Sequence, residues 1–314
     1  MRTVRWVPIL FLAACSTPSE KKTTPGPTPP QQAQDPDDGG GEPITAGLLD
    51  AGTPVDSATA VCEIPEVLIV LDRSASMHKT PGGTEPPNTV DGRNKTKWAL
   101  AIGAVKTITA APIDATVRFG LELFPRDPGG DKCKTVSQIL NHVPLTNPSC
   151  QQGEIVIAPD LNTGDDISSS LTVNGTPLCF STPISAAVDT AITQLASTAS
   201  AGRPQHIVLI SDGGESCNTD PAEAIGRAAA AGIKTHVVGF ACLESDNITR
   251  LNAMACAGQT AIDFATNCKL DGTNYVPVDP TSTTPLYRDA ADGATLQTEL
   301  MSVAGGLCCG CMDG

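Results

Sequence analysis

The chain has 314 residues and a formal net charge of −14, from 20 Lys and Arg against 34 Asp and Glu. This negative charge disfavours binding to the polyanionic backbone of DNA or RNA. Six Phe, two Trp and two Tyr are too few for the stacking surfaces of proteins that bind single-stranded nucleic acid. Twelve cysteines are more than a reducing cytosol normally accommodates, so we expect the protein to work in an oxidising compartment.

The first residues have the pattern of an export signal. Arg2 and Arg5 precede an apolar stretch too short to span a bilayer, and the segment ends in Leu-Ala-Ala-Cys15. This ending resembles the bacterial lipobox, which implies that residues 1–14 are a lipoprotein signal peptide and that Cys15 carries the lipid. The resemblance implies a lipid-anchored protein of the bacterial cell envelope, at the outer membrane or cell surface in preference to the inner membrane. An ordinary secretory signal is the alternative.

Residues 15–61 are rich in Pro, Gly and Asp and have no sustained apolar periodicity. Such a composition is typical of a disordered tether without binding activity of its own. The excess of acidic residues predicts that the tether repels itself and extends.

Residues 62–306 predict one α/β domain, because apolar runs alternate with helical periods. The run Glu66–Asp72 is continuously apolar from Val67 to Leu71 and ends in a carboxylate, which is typical of a strand buried on both faces of a parallel sheet. This alternation predicts a doubly wound, mostly parallel sheet with helices on both faces, which binds ligands at the carboxyl ends of its strands. Further strands are predicted at 117–124, 154–157 (an edge strand), 206–211 and 233–240, and helices from 94, 183, 220, 246 and 294, with irregular segments at 125–165 and 268–292.

Three short polar segments fall at these strand ends and helix starts. Asp72, Ser74 and Ser76 follow the first strand, Thr182 precedes a helix, and Asp212 follows the strand at 206–211. Carboxylate and hydroxyl oxygens are the ligands that Mg²⁺ prefers, and few carboxylates would leave the ion electrophilic.

These segments resemble the metal-ion-dependent adhesion site of von Willebrand factor type A (VWA) domains, in the order Asp-x-Ser-x-Ser, Thr and Asp. The resemblance implies a Rossmann-like VWA fold that binds Mg²⁺ or Mn²⁺, with Ser74, Ser76 and Thr182 as direct ligands and Asp72 and Asp212 acting through water. It also implies that an open metal position accepts a carboxylate from a protein ligand. Serines that merely cap the first helix are the structural alternative.

Two features around the predicted site are expected to assist an anionic ligand. The amino end of the helix at Pro183 would contribute partial positive charge. The insertion from His78 to Arg93 is the best candidate for a mobile specificity loop, in which we expect His78 to be a solvated side chain.

The enzyme classes are less well supported than binding. The chain has neither a Gly-x-Ser-x-Gly nucleophile motif nor a His-Glu-x-x-His zinc motif, and its four histidines are scattered. We therefore expect a protein without catalytic activity. A structural envelope protein held by disulfides, and a metal-dependent hydrolase, are the alternatives to adhesion.

Eleven cysteines remain if Cys15 is lipidated, so one is free or pairs between chains. Because the termini of compact domains often lie close together, we expect Cys62 to pair with Cys308 or Cys309. Local bridges are expected within two loop-rich segments, Cys133 with Cys150 and Cys256 with Cys268. The Cys-rich tail, residues 307–314, is an incomplete set of ligands for zinc.

Overall fold

The computed structural model describes residues 63–146, 150–200, 202–242 and 245–307, all within the unit Ala58–Gly314. The predicted signal peptide, the tether and the Cys62 clasp to Cys308 or Cys309 lie outside the described residues. In the part of the chain that is described, no helix is long and apolar enough to cross a membrane.

A six-stranded sheet forms the centre of the domain. Its strand order is β3-β2-β1-β4-β5-β8, and every neighbouring pair is parallel except β2 and β3. This confirms the predicted mostly parallel α/β fold. The strands are β1 (Glu66–Asp72), β2 (Arg118–Phe124), β3 (Glu154–Asp160), β4 (Gln205–Ser211), β5 (Ile233–Phe240), β6 (Cys268–Asp271), β7 (Asn274–Pro277) and β8 (Arg288–Ala290), of which β6 and β7 form a separate hairpin.

Helices cover both faces of this sheet. One face packs against α2 and α9, through side chains such as Trp98 and Leu300, and the other packs against α5, α6 and α7. The strand β1 is buried on both faces because it lies at the centre of these two layers. The helices are α1 (Val90–Arg93), α2 (Lys97–Ile108), α3 (Val136–Leu140), α4 (Gly164–Ser170), α5 (Ile184–Thr198), α6 (Pro221–Ala230), α7 (Ser245–Ala257), α8 (Phe264–Asn267) and α9 (Gly293–Leu307).

Local sequence signals explain where α6 begins and ends. The Asp220 carboxylate accepts a hydrogen bond of 2.9 Å from the N–H of Ala222, and Pro221 occupies the first turn. The helix ends at Ala230, and Gly232 follows with a φ of 82° that favours glycine. The start of the helix agrees with the helix predicted from residue 220.

The segments predicted to be irregular contain regular structure. Residues 268–292 hold the β6–β7 hairpin and β8, and residues 125–165 hold the short helix α3 and the start of α4. The strand β8 has only three residues and pairs with β5, Val238 lying opposite Arg288. Such short elements depend on their neighbours in the fold and leave no periodic pattern in the sequence.

Three disulfides cross-link the described residues: Cys133–Cys179, Cys150–Cys217 and Cys256–Cys268. The last confirms the predicted local bridge, and the predicted pairing of Cys133 with Cys150 is wrong. Cys133 lies beside Cys179 because the neighbouring residues Lys134 and Leu178 exchange two backbone hydrogen bonds of 2.8 Å.

Those bonds bring together segments that lie far apart in sequence and hold the two cysteines side by side. Cys242 is the free cysteine among the residues described.

The sheet has one topological switch point, between β1 and β4. From β1 the chain continues to β2 on one side, and it later returns to place β4 on the other side. The loops after β1 and β4 therefore diverge and leave a crevice at the carboxyl edge, where ligands bind in doubly wound sheets.

Candidate metal centre

Asp72 joins the two strands at the switch point. It is the last residue of β1 and is fully buried. Its Oδ2 accepts a hydrogen bond of 2.6 Å from the hydroxyl of Ser211, the last residue of β4, and its Oδ1 accepts one of 2.6 Å from the N–H of Ser74.

The environment of Asp72 changes its acidity. Burial, together with the nearby carboxylate of Asp212, raises the pKa of Asp72 to about 7, although hydrogen bonds from Ser211 and Ser74 act in the opposite direction. A cation bound near Asp72 would lower this pKa, because it would stabilise the ionised carboxylates.

A chain of hydrogen bonds continues from Ser74 to the loop after β4. The hydroxyls of Ser74 and Ser76 are 2.8 Å apart, and the hydroxyl of Ser76 donates to Oδ1 of Asp212 at 2.8 Å. A short 3₁₀ helix, Ala75–His78, turns the chain sharply after Ser74, so that both serines face the same side. Four of the five predicted ligands, Asp72, Ser74, Ser76 and Asp212, are thus gathered at the switch point.

Thr182 lies on a third loop that is tied to the other two through the backbone. Its N–H donates to the hydroxyl of Ser216 at 2.7 Å, and its carbonyl accepts from the N–H of Ser216 at 3.2 Å. The same loop is linked to the first one, since the N–H of Cys179 donates to the carbonyl of Arg73 at 2.8 Å. Among the described residues, no hydrogen bond joins the Thr182 hydroxyl to the other four predicted ligands.

The amino end of α5 is occupied by an internal carboxylate. Glu215 accepts a hydrogen bond of 2.9 Å from the N–H of Ser185 in the first turn, and one of 2.7 Å from the N–H of Cys217. The expectation that this helix end helps to attract an anionic ligand therefore needs correction, because Glu215 already supplies the negative charge.

Lys97 is the functional residue that sequence analysis missed. It is the first residue of α2, its side chain is buried, and its Nζ forms an ion pair with Oδ2 of Asp212, which is buried as well. The available signal was a lysine directly after the N-cap Thr96, where the helix dipole disfavours a positive charge. A lysine placed there implies a carboxylate partner.

An open cleft of about 350 Å³ lies over this cluster. Ser76, Lys97 and Asp212 line it from the cluster, and Lys79 and Asn247 line it from the surrounding loops. Ser76 is exposed, whereas Asp72, Ser74 and Asp212 are buried. A larger open pocket of about 620 Å³ lies around Glu215 and Arg250, along the same loop after β4.

His78 is neither solvated nor directed at this cleft. It is buried; its Nδ1 contacts the carbonyl of Ala75 and its Nε2 lies 3.3 Å from Oε1 of Glu85. The prediction of a solvated loop histidine is wrong because the 3₁₀ turn folds the side chain back against its own backbone.

The donor set fits a hard divalent cation. The cluster offers carboxylate and hydroxyl oxygens with no competing sulfur or imidazole ligand among Asp72, Ser74, Ser76, Thr182 and Asp212. Oδ2 of Asp212 is buried and accepts no hydrogen bond of ordinary geometry from the described residues. A buried carboxylate oxygen is costly without a partner, and here the neighbouring positive charge that stabilises it is the ammonium of Lys97.

Residues 180–272 match the family model of the von Willebrand factor type A domain. Over these residues, the chain has the sequence of a von Willebrand factor type A domain. The matched residues include Thr182 and Asp212, and β4 of the matched segment pairs with β1, whose carboxyl end carries Asp72. A search of curated proteins found no match.

Several solved structures are similar in fold to this chain. One is proximal thread matrix protein 1 from the mussel byssus, with 12% identity, 77% of this chain and 48% of that chain covered, and a TM-score of 0.45. A second structure of that protein is described as having a zinc-occupied MIDAS motif, with 11% identity, 78% and 48% coverage and a TM-score of 0.43. A third is BatB from Bacteroides thetaiotaomicron, with 12% identity, 77% and 98% coverage and a TM-score of 0.42.

The matched part of the chain thus spans about half of the length of the mussel protein.

Proposed function

We propose that this VWA domain binds Mg²⁺ or Mn²⁺ and, through the ion, a carboxylate of a protein ligand. The observation that carries the proposal is the chain of hydrogen bonds that leads from Asp72, through the backbone N–H of Ser74 and the hydroxyls of Ser74 and Ser76, to Asp212. Thr182, on the adjacent loop, would complete the set of protein ligands. Metal chemistry at this site would be that of a Lewis acid with positions left open for a further oxygen ligand.

The cleft supports a ligand that is both external and anionic. It is open to solvent directly over Ser76 and Asp212, so a partner side chain can approach the oxygen cluster. A divalent cation held below this opening would attract a carboxylate, which fits an acidic side chain on a folded protein. We accordingly propose binding, without catalytic turnover, as the activity of the domain.

Removing two of the proposed ligands is expected to abolish metal binding. In a calorimetric titration of Mn²⁺ or Mg²⁺ into the chelator-treated chain, we expect saturable binding. The double variant Asp72→Ala with Ser74→Ala should bind at least about a hundredfold more weakly, because it loses a carboxylate and a hydroxyl from the cluster.

Asp160→Asn is the matched control. Asp160 is an exposed carboxylate paired with Arg118, at the amino end of β2 and thus at the opposite edge of the sheet. The Asp160→Asn variant should bind Mn²⁺ or Mg²⁺ with the same affinity as the native chain. If the double variant binds metal as tightly as the native chain, Asp72 and Ser74 are not ligands. Metal-dependent turnover of a substrate that is lost in Asp212→Ala would instead favour the hydrolase alternative.

We further propose that the domain is displayed on the bacterial cell envelope through a lipid on Cys15. The support is the sequence ending Leu-Ala-Ala-Cys15, followed by a long polar segment that would separate the domain from the membrane. Stable anchoring requires more than one acyl chain, as a lipoprotein cysteine supplies.

The lipid anchor is tested by metabolic labelling with palmitate in a bacterial host. We expect label in the native chain and none in Cys15→Ser, which should also leave the membrane fraction. Cys242→Ser, which removes a free thiol of the described domain, should stay labelled. Undiminished label in Cys15→Ser would contradict the anchor.

A further inference from the structure

Lys97 places a positive charge inside the oxygen cluster. Its side chain is 7% exposed and its Nζ contacts Oδ2 of Asp212, whose side chain is 1% exposed. A buried ammonium and a buried carboxylate are each costly without a partner, so the two charges stabilise one another. The pair lies at the candidate metal centre itself, because Oδ1 of the same carboxylate accepts a hydrogen bond from the hydroxyl of Ser76.

The backbone of Lys97 is fixed while its side chain has room to move. The N–H of Lys97 donates to the carbonyl of Lys79 at 2.8 Å, and the Thr96 hydroxyl accepts from the N–H of Ala99 at 3.2 Å, so the start of α2 is held. The lysine side chain is a flexible four-carbon stem, and Lys97 itself lines the open cleft. The ammonium can therefore leave Asp212 for solvent without unfolding the helix.

We propose that Lys97 is a built-in cation that competes with the divalent metal for Asp212 and thereby lowers the metal affinity of the site. The inference rests on the proposed function. An ammonium and a divalent cation that both contact the Asp212 carboxylate would repel each other strongly. Metal binding therefore requires the Lys97 side chain to move away from Asp212. Without a metal ion, the domain is stable because the positive charge of Lys97 neutralises the Asp212 carboxylate.

This arrangement raises the metal concentration at which the site fills. The free energy of metal binding is reduced by the cost of breaking the Lys97–Asp212 pair, which a site without the lysine does not bear. Occupancy by metal, and with it binding of a carboxylate ligand, would then follow the extracellular supply of divalent cations. A site without Lys97 would be filled at lower concentrations.

The test compares Mn²⁺ binding to the native chain, Lys97→Met and Lys79→Met. Lys79 lines the same cleft, and no ion pair to a described residue holds its side chain, so its variant controls for the loss of one positive charge. We expect Lys97→Met to bind Mn²⁺ at least about tenfold more tightly than the native chain. Lys79→Met should change the affinity by less than about threefold, because its charge is screened.

Thermal unfolding in EDTA gives a second readout. Without metal, Lys97→Met leaves the Asp212 carboxylate buried and unpaired, so its melting temperature should fall, and saturating Mn²⁺ should restore it. Lys79→Met should melt as the native chain does. If Lys97→Met fails to fold in EDTA, Lys97→Gln, which is neutral and can donate a hydrogen bond, is expected to show the same gain in affinity.

The possible outcomes separate this proposal from the proposed function. Native binding with equal or weaker binding in Lys97→Met would overturn the competition and leave the metal site intact. Binding in Lys97→Met alone would support the competition and contradict metal-dependent function of the native chain. No binding in any variant would overturn both.

Discussion

Replacing Cys150 and Cys217 together with alanine is expected to lower the free energy of unfolding by about 4 kcal/mol. This disulfide closes a loop with a sequence separation of 67 residues, so its loss restores much conformational freedom to the unfolded chain. Denaturant unfolding of the native and variant chains, with the other disulfides intact, measures the change.

The same double variant is expected to weaken Mn²⁺ binding several-fold. Cys217 directly follows Glu215 and Ser216, and these two residues hold the start of α5 and the backbone of Thr182. Losing the disulfide frees the loop after β4 to move relative to the predicted ligands, and small displacements of ligands reduce metal affinity. Calorimetry under the conditions used for the native chain measures this effect.

The bridge Cys256–Cys268 is the control. It closes a shorter loop, with a separation of 12, so removing it should cost about 3 kcal/mol. It lies away from the metal centre, because the neighbouring Gly258 accepts a hydrogen bond from Thr235 near the amino end of β5. An equal loss of metal affinity in both double variants would show that general destabilisation, and not the position of the loop, is responsible.

Replacing Glu122 with glutamine is expected to stabilise the protein progressively as the pH rises. Glu122 lies on β2 opposite Val70 of β1 and is fully buried, and neither of its carboxyl oxygens has a hydrogen-bond partner among the described residues. Burial raises the pKa of Glu122 well above its ordinary value of 4.5. The folded chain therefore keeps this proton at pH values where the unfolded chain has released it.

The sign of the pH effect follows from this difference. The contribution of Glu122 to stability is fully present below the unfolded pKa of about 4.5 and is lost as the pH rises toward the folded pKa, by about 1.4 kcal/mol per pH unit. Glutamine does not titrate and so removes this slope. Urea unfolding at about pH 5 and about pH 8 should show an advantage of Glu122→Gln that is larger at the higher pH.

Glu223→Gln serves as the control for this experiment, because Glu223 is an exposed residue of α6. Its variant should show little difference from the native chain at either pH. A difference between Glu122→Gln and the native chain that does not depend on pH would contradict a buried, protonated carboxyl.

Local sequence patterns were sufficient for five of the six strands of the central sheet and for most of the site. The apolar run ending at Asp72 predicted a central buried strand, and the structure places it between β2 and β4. Because side chains that follow parallel strands meet at one edge of the sheet, the sequence alone predicts that the polar segments after β1 and β4 lie together. Four of the predicted ligands do lie in one hydrogen-bonded chain.

The contacts that govern this site came from residues whose partners are distant in the chain. Lys97 meets Asp212 across a separation that no local pattern reports, and Glu215 reaches the start of α5 from the loop after β4. His78 shows the same limit at short range, because a loop composition predicted exposure and a tight turn produced burial.

By itself, the sequence determined the alternation of strands and helices, the polar residues at the strand ends and the predicted donor chemistry. These features depend on hydrophobic periodicity and on residue type, which are local properties. Only the tertiary structure decided which cysteines pair and which positive charge stands beside Asp212. Disulfides and buried ion pairs require two side chains within a few ångströms, and that proximity is set by the packing of the whole sheet and not by spacing along the chain.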